Sequence, residues 1–243
     1  QKLTASDAAA GDRFGHHLDI SDSHLIVGAQ ENDDGGDKSG SAYIFVNRAG
    51  TFSEQAKLRA SDEAAGDEFG HHVAINGDYA IVGAEFDDDG KTNSGSAYIF
   101  KRSVNSWPQQ AKITALDPGE DDAFGHHVAI SGDYALIGAY TDENTWANGD
   151  YNPGSAYIYK RDGTSWTHYQ KILASDGNRD DYFGQDVAIS GEWAVIPSYR
   201  DGGDKGSVYT FKNKPDIIEP YMTITAVNSS NTAVIDGSIT GDA

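Results

Sequence analysis

Hydrophobic and polar residues alternate along most of this chain in short runs, and residues typical of turns separate the runs. Residues 71–84 show the pattern, because an Asn-Gly pair divides the two alternating halves of HHVAINGDYAIVGA. A period of two places successive side chains on opposite faces of a β-strand, and Asn-Gly favours a tight hairpin. The pattern therefore predicts short antiparallel strands rather than helices.

The same succession of runs occurs four times, and a Phe-Gly pair opens each unit. Each unit continues with an alternating run, a turn, a run that usually ends in Gly-Ala, an acidic glycine-rich loop, a run like GSAYIF and a run like QAKLRASD. The units start near Phe14, Phe69, Phe124 and Phe183, so the steps are 55, 55 and 59 residues. Four strands per unit at a period of about 50 residues predict an all-β fold, a β-propeller of four-stranded antiparallel blades.

The two ends of the sequence do not determine how many blades the ring contains. We expect the repeats to cover residues 1–212, and residues 213–243 to be the last propeller strand or the start of a following domain. Both QKLTASD (1–7) and YMTITAVN (221–228) resemble the fourth run of a unit, so a closed ring of four blades would have one surplus strand. The repeats therefore form either a small closed ring or part of a larger propeller.

The composition narrows the class of partner. The 243 residues carry a formal net charge of −20, which disfavours binding to nucleic acids and to anionic membrane surfaces. No apolar run approaches the roughly 20 residues that span a bilayer, so membrane insertion is not expected. Cysteine is absent, which excludes disulfides and Cys-ligated zinc.

The order of Phe-Gly, Gly-Ala and GSAYIF resembles the FG-GAP repeat, the blade unit of the integrin α-subunit propeller and of many secreted bacterial proteins. The resemblance extends to about residue 212, although Ile196-Pro197-Ser198 departs from it in the fourth unit. It implies an extracellular or cell-surface protein, secreted by a bacterium, that serves adhesion or ligand recognition. Integrin-type blades often hold a calcium loop between Phe-Gly and Gly-Ala. Here the short turn at residues 75–79 fills that interval, so that calcium site is not expected.

Acidic loops follow the Gly-Ala positions and suggest a different calcium site. Clustered carboxylates can surround a hard cation such as Ca²⁺, and they repel one another without a cation. Alternatively, these loops are solvated and their Asp and Gly residues serve turn geometry. The candidate metal ligands are Asp33, Asp34, Asp37, Asp87, Asp88, Asp89, Asp142, Asp201 and Asp204.

Two further sets of aspartates recur in every unit, and we expect them to be structural. One set lies two residues before each Phe-Gly pair, and the other ends the fourth run. Repetition in every unit favours a role in the blade itself, such as capping backbone N–H groups in turns. The sets are Asp12, Asp67, Asp122 and Asp181, and Asp7, Asp62, Asp117 and Asp176.

Paired histidines follow the Phe-Gly motif in three units, whereas the fourth has Gln185-Asp186. If this strand is the innermost of each blade, then one imidazole from each blade could converge near the propeller axis. An alternative metal ring would then consist of His16, His71 and His126, with zinc, nickel or copper as the ion. The other interpretation is that duplication copied the pairs, which pack between blades and bond to the backbone.

One loop is longer than its counterparts in the other units. It reads TDENTWANGDYNPG (141–154), and we expect Asn144, Trp146, Asp150 and Tyr151 to bind a ligand there. Exposed aromatic rings beside Asp and Asn suit the stacking of sugars, and loops of repeat proteins vary where binding occurs. Trp107 and Trp166 recur at equivalent places and are expected to close hairpin tips instead.

These features together predict a non-catalytic recognition or adhesion module that binds a glycan or an extracellular protein, with Ca²⁺ as the one candidate cofactor. Two alternatives remain. The first is a propeller-type polysaccharide lyase or glycosidase that uses His126 or His127 with Tyr or carboxylate groups of neighbouring blades. The second is a purely structural surface or matrix domain. A second copy of the chain and further domains of the same chain also remain open as partners.

Overall fold

The computed structural model describes residues 1–143, 153–214 and 217–224, and for residues 213–224 the description is limited to the backbone. Four antiparallel sheets of four strands each account for nearly all of the regular structure in these ranges. The first sheet contains β1 (Leu18–Ser21), β2 (His24–Ala29), β3 (Ser41–Arg48) and β4 (Thr51–Leu58), and the second contains β5 (Val73–Asn76), β6 (Tyr79–Ala84), β7 (Ser96–Lys101) and β8 (Gln109–Ile113). The third contains β9 (Val128–Ser131), β10 (Tyr134–Ala139), β11 (Ser155–Asp162) and β12 (Ser165–Ile172). The fourth contains β13 (Ala188–Ser190), β14 (Trp193–Ser198), β15 (Ser207–Lys214) and β16 (Ile217–Ile224), with one helical turn, α1 (Asp201–Asp204), before β15.

Strands follow one another in chain order within each sheet, so each strand pairs with its neighbour in the sequence. The first strands of successive sheets, β1, β5, β9 and β13, contact one another in that order. They are therefore the inner strands of successive blades. The predicted all-β propeller of four-stranded antiparallel blades is confirmed.

Apolar side chains on both faces of each blade form the core. The second and third strands of the first three blades are largely buried, because alternate residues pack against the preceding and the following blade. Ile44 of the first blade, for example, shares a buried cluster with Val73 and Tyr98 of the second. Ile99 of the second blade shares the next cluster with Val128 and Ile137 of the third. Alternation with period two supplies both faces of the sheet.

The outward faces of the first and fourth blades differ from the internal ones. Leu18 and Ile20 are 56% and 57% exposed, whereas their counterparts Val73 and Ile75 are 0% and 3% exposed because the first blade covers them. In the fourth blade, the exposed hydrophobic residues include Trp193. No described strand covers Leu18 and Ile20, so the four blades present two partly apolar end faces.

The two segments that resemble fourth strands have different structures. β16 pairs with β15 as the fourth strand of the last sheet. Residues 1–5 contain no strand, but Leu3 and Ala5 pack against the first sheet, and the Gln1 side chain donates a hydrogen bond to the carbonyl oxygen of Phe52 (2.7 Å). The N-terminal segment therefore covers part of the first blade.

Candidate functional site

The paired histidines form two rows at the starts of the inner strands β1, β5 and β9. In the first row, the ring centroids of His16 and His71 are 5.2 Å apart and those of His71 and His126 are 4.8 Å apart. Nδ1 of His16 donates a hydrogen bond to the carbonyl oxygen of His71 (3.2 Å), and Nδ1 of His71 donates to that of His126 (3.2 Å). The residues of the expected metal ring are thus neighbours in a row that links three blades.

The second row is packed more tightly. The ring centroids of His17 and His72 are 3.4 Å apart, and those of His72 and His127 are 3.3 Å apart. Nδ1 of His72 accepts a hydrogen bond from the backbone N–H of Val128 (3.3 Å), and Nδ1 of His127 accepts one from Val187 (3.3 Å). Burial lowers the pKa of His72 far below its ordinary value and that of His127 to about 3. Neutral imidazoles bonded to the backbone match the packing interpretation for this row.

Glu85 follows the Gly-Ala motif of the second blade and lies against the first histidine row. Its side chain is 5% exposed, and its two carboxylate oxygens lie 3.1 Å from Nε2 of His71 and 2.5 Å from Nδ1 of His126. The other blades have Gln30, Tyr140 and Tyr199 at this position. Sequence reasoning missed Glu85, although a carboxylate unique to one blade at a repeated position was a signal that could have found it.

Lysine side chains approach the carboxylates of the acidic loops. In the second blade, Nζ of Lys112 lies 2.6 Å from Asp62, 3.0 Å from Asp87 and 2.5 Å from Asp89. The hydroxyl oxygen of Tyr98 lies 3.0 Å from Asp62 and 2.5 Å from Asp87, so its single proton can be donated to either carboxylate. An ammonium group therefore supplies the positive charge that the clustered carboxylates require.

The same arrangement occurs in two other blades, and the fourth blade differs from them. Lys57 bonds to Asp7 (2.7 Å) and also contacts Asp34, whereas Lys171 bonds to Asp117 (2.7 Å) and Asp142 (2.7 Å). In the fourth blade, Asp201 accepts a hydrogen bond from the Ser207 hydroxyl, and Asp204 pairs with Arg200 (3.1 Å).

The remaining loop aspartates have turn roles or lie at the surface. Asp33 accepts a hydrogen bond from the backbone N–H of Lys38 (2.9 Å), and Asp88 accepts one from that of Asn93 (2.9 Å). Asp37 is exposed. Calcium binding at these loops stays a prediction.

The aspartates that precede each Phe-Gly pair cap the turn three residues earlier. Their carboxylates accept hydrogen bonds from backbone N–H groups, which confirms the predicted structural role. The bonds join Asp12 to Ala9 (2.8 Å), Asp67 to Ala64 (2.7 Å), Asp122 to Gly119 (2.5 Å) and Asp181 to Asn178 (2.6 Å). The second set has another role, since Asp7, Asp62, Asp117 and Asp176 accept hydrogen bonds from tyrosine hydroxyl groups of the third strands.

One of these caps should make stability depend on pH. Burial, together with the nearby Asp87 carboxylate, raises the pKa of Asp67 from 3.8 to about 6. An acid whose pKa is raised by folding favours the folded state while it is protonated, so this stability is lost as pH rises from about 4 to about 6. We expect Asp67→Asn to keep the acceptor oxygen and to gain up to about 3 kcal/mol relative to the unsubstituted protein across that range. Urea unfolding at a series of pH values measures the difference.

Asp122 offers an independent check, because burial and the Asp142 carboxylate also raise its pKa to about 6. Asp122→Asn should show the same gain over the same range. A stability difference that does not change with pH in both variants would contradict the prediction.

The ligand site expected at Asn144, Trp146, Asp150 and Tyr151 lies outside the described residues. The two tryptophans assigned to hairpin tips are described. Nε1 of Trp107 donates to the side chain of Gln55 (2.9 Å), and Nε1 of Trp166 donates to that of Gln110 (3.0 Å). Both bonds join neighbouring blades, as suits a structural role.

A row of tyrosines lies beside the histidine rows and was not predicted from the sequence. The rings of Tyr182 and Tyr199 are stacked, with centroids 5.6 Å apart and planes 13° apart. Tyr140 lies 5.7 Å from Tyr182 and 4.4 Å from His126. The guanidinium carbon of Arg200 lies 5.4 Å from the centre of the Tyr182 ring. The row therefore extends from the histidines to the edge of the fourth blade.

An open polar pocket of about 420 Å³ adjoins this row, and Arg200, which contacts the Tyr182 ring, lines the pocket. Besides Arg200, the pocket is lined by Asn178, Arg179, Asp180, Asp181, Gly202, Gly203 and Asp204. Arg179 pairs with Asp180 (3.3 Å) and Arg200 with Asp204 (3.1 Å). The pocket thus presents hydrogen-bonding groups whose charges are largely compensated.

Helical structure in the described ranges is confined to one turn, and nothing there has the length and hydrophobicity of a membrane-spanning helix.

The curated proteins contain no match to the chain. Among solved structures, the chain is similar to a putative 6-phosphogluconolactonase from Bacteroides uniformis, with a TM-score of 0.58 and 14% identity. The similarity covers 88% of this chain and 57% of that protein, so this chain spans little more than half of its length. At this identity it shows the fold alone.

A family model gives the more specific match. The model of the FG-GAP repeat matches residues 1–45, 52–100, 107–159 and 166–211. Each of the last three matches covers the fourth strand of one sheet and the first three strands of the next, so the matched unit is a blade shifted by one strand. The chain belongs to the FG-GAP repeat family.

Proposed function

We propose that this chain is a non-catalytic, extracellular recognition module that binds a glycan along the tyrosine row Tyr140, Tyr182 and Tyr199 and in the adjoining pocket. The observation that carries the proposal is the stacked pair Tyr182 and Tyr199 beside a polar pocket. FG-GAP repeats are typically extracellular, which agrees with a glycan of the cell surface or its surroundings.

The chemistry of the surface fits a sugar. The C–H face of a pyranose ring is apolar and stacks on an aromatic ring, while the hydroxyl groups around its edge need hydrogen-bond partners. Tyr199 is 47% exposed and can offer such a face. Arg179, Arg200, Asn178 and the nearby carboxylates can bond to hydroxyl groups.

The charges of the pocket favour a neutral glycan over a polyanion. Each of the two arginines already has a carboxylate partner, Asp180 or Asp204, and Asp181 adds a third acidic group. The whole chain is also strongly acidic, with a net charge of −20. A sulfated or uronic-acid polymer would be repelled, whereas a neutral oligosaccharide would not.

Replacing Tyr199 by alanine should lower the affinity for a neutral oligosaccharide by about tenfold or more, because the stacking platform at the pocket is lost. A glycan array would identify the oligosaccharide, and titration calorimetry would measure the affinity. Trp193→Ala is the matched control, since Trp193 is an aromatic residue of the same blade that is 44% exposed but lies outside the row. It should leave the affinity unchanged.

The alternatives give different results in the same experiment. Binding that is lost in Trp193→Ala and retained in Tyr199→Ala would contradict the assigned surface. Release of shortened sugars during incubation would instead identify a polysaccharide-cleaving enzyme. The name of the structural neighbour does not decide this point, because the similarity to that protein is one of fold.

A further inference from the structure

The first histidine row and Glu85 have donor atoms arranged for a metal ion. One ring nitrogen of His71, one of His126 and a carboxylate oxygen of Glu85 all lie within 4.8 Å of one another. The carboxylate side chain is 5% exposed, and the two histidine side chains are 17% and 19% exposed. A carboxylate so deeply buried is costly unless a cation compensates it.

The hydrogen bonds of His71 determine which of its atoms is available to a cation. Its Nδ1 lies 3.2 Å from the carbonyl oxygen of His126, which can only accept, so Nδ1 carries the proton. In the neutral ring, Nε2 then presents a lone pair to the Glu85 oxygen at 3.1 Å. Two acceptors at this distance repel each other, and a positive charge between them removes the repulsion.

A metal ion supplies such a charge, and it is bound by the neutral imidazole. A histidine ligand that donates its other N–H to a backbone carbonyl is the usual arrangement around metal ions, because this bond fixes the ring and its tautomer.

From this geometry we propose that His71, Glu85 and His126 form a binding site for a divalent transition-metal ion, with Zn²⁺ as the best fit. Nitrogen and carboxylate donors suit Zn²⁺ better than Ca²⁺, which prefers an all-oxygen shell. Bonds of about 2.0–2.2 Å in a tetrahedral shell place donor atoms a little more than 3 Å apart, close to the 3.1 Å between His71 and Glu85. The ion would replace the 2.5 Å hydrogen bond between Nδ1 of His126 and Glu85. Three protein ligands leave one coordination position for water or for a group of a bound ligand.

The second histidine row is the less suitable of the two clusters. His17, His72 and His127 also have ring nitrogens within 4.8 Å of one another. However, Nδ1 of His72 and of His127 accept backbone hydrogen bonds, so the proton of each neutral ring lies on Nε2. Nε2 of His127 moreover bonds to Asp186 (3.0 Å). Metal binding there would require these bonds to break.

The test begins with protein treated with EDTA and dialysed against zinc chloride, followed by elemental analysis and titration calorimetry. We expect one Zn²⁺ per chain, and Co²⁺ in its place should give the visible absorption of a tetrahedral site. Glu85→Gln is nearly isosteric, and glutamine already occupies this position in the first blade as Gln30. The substitution should weaken Zn²⁺ binding by at least about 100-fold, since even a residue outside the ligand set costs up to that amount.

His16→Ala and His17→Ala are the matched controls, because each removes an imidazole from one row and leaves the side chains of the three ligands in place. Both variants should retain Zn²⁺. Failure of the unsubstituted protein to bind Zn²⁺, or binding that survives Glu85→Gln, would overturn the proposal. Loss of the ion from His17→Ala together with its retention in Glu85→Gln would place the site in the second row instead.

Discussion

Gly83→Ala is expected to lower the free energy of unfolding by about 4 kcal/mol or more, enough to prevent folding of a marginally stable propeller. A β-carbon at Gly83 would lie 1.9 Å from the carbonyl oxygen of Gly125 in the next blade. Gly125 cannot retreat easily, because its N–H donates to the carbonyl oxygen of Gly138 (3.0 Å). The second and third blades would therefore have to separate and expose the apolar cluster between them. Urea unfolding measures the loss.

Gly132→Ala is the control for the effect of removing a glycine. Gly132 has a φ of +59°, and a β-carbon there would meet nothing within 4 Å. The cost should be about 1–2 kcal/mol, from backbone strain alone. Equal costs for the two variants would mean that the contact between Gly83 and Gly125 can relax, and that close approach is not what requires glycine in the Gly-Ala motif.

The fold could be predicted because its determinants are local and repeated. Alternation with period two indicated strands, and the recurrence of Phe-Gly gave the blade. The sequence could not reveal which blade faces have neighbours. Leu18 and Val73 occupy the same position of the repeat, yet one is 56% exposed and the other is fully buried. Exposure depends on whether another blade packs there, and this information is absent from the unit itself.

Much of the candidate site arises from contacts between residues that are distant in sequence. The acidic loops were interpreted as cation sites from their own composition, but Lys112 reaches Asp87 from the fourth strand of the blade. Only the register of the sheet brings these two residues together. Glu85 was overlooked for a related reason, since its histidine partners belong to two different blades. Repetition made the histidines conspicuous and concealed the single carboxylate that distinguishes the second blade.

Lys112→Met should destabilise the protein by about 3 kcal/mol, because it leaves a buried carboxylate without its counter-charge. Asp87 is 6% exposed, and Asp62 and Asp89 lie beside the same ammonium group. Methionine retains most of the aliphatic stem that packs near the Tyr98 ring. The variant then holds three carboxylates without the lysine charge, which is the arrangement that attracts Ca²⁺. Millimolar calcium should therefore restore part of the lost stability, as measured by urea unfolding with and without the ion.

Lys57→Met tests whether burial of the carboxylates causes the loss of stability expected in Lys112→Met. Its partners Asp7 and Asp34 have side chains that are 40% and 44% exposed, and Asn32 occupies the position of Asp87. Water can solvate these carboxylates, so the expected cost is below about 1 kcal/mol and calcium should have little effect. The unsubstituted protein should also gain less from calcium than Lys112→Met does, because the ammonium group already lies among the carboxylates. If calcium stabilised the unsubstituted protein and Lys112→Met equally, the ion and the lysine would not compete. The acidic loops would then bind calcium in the way their composition suggests.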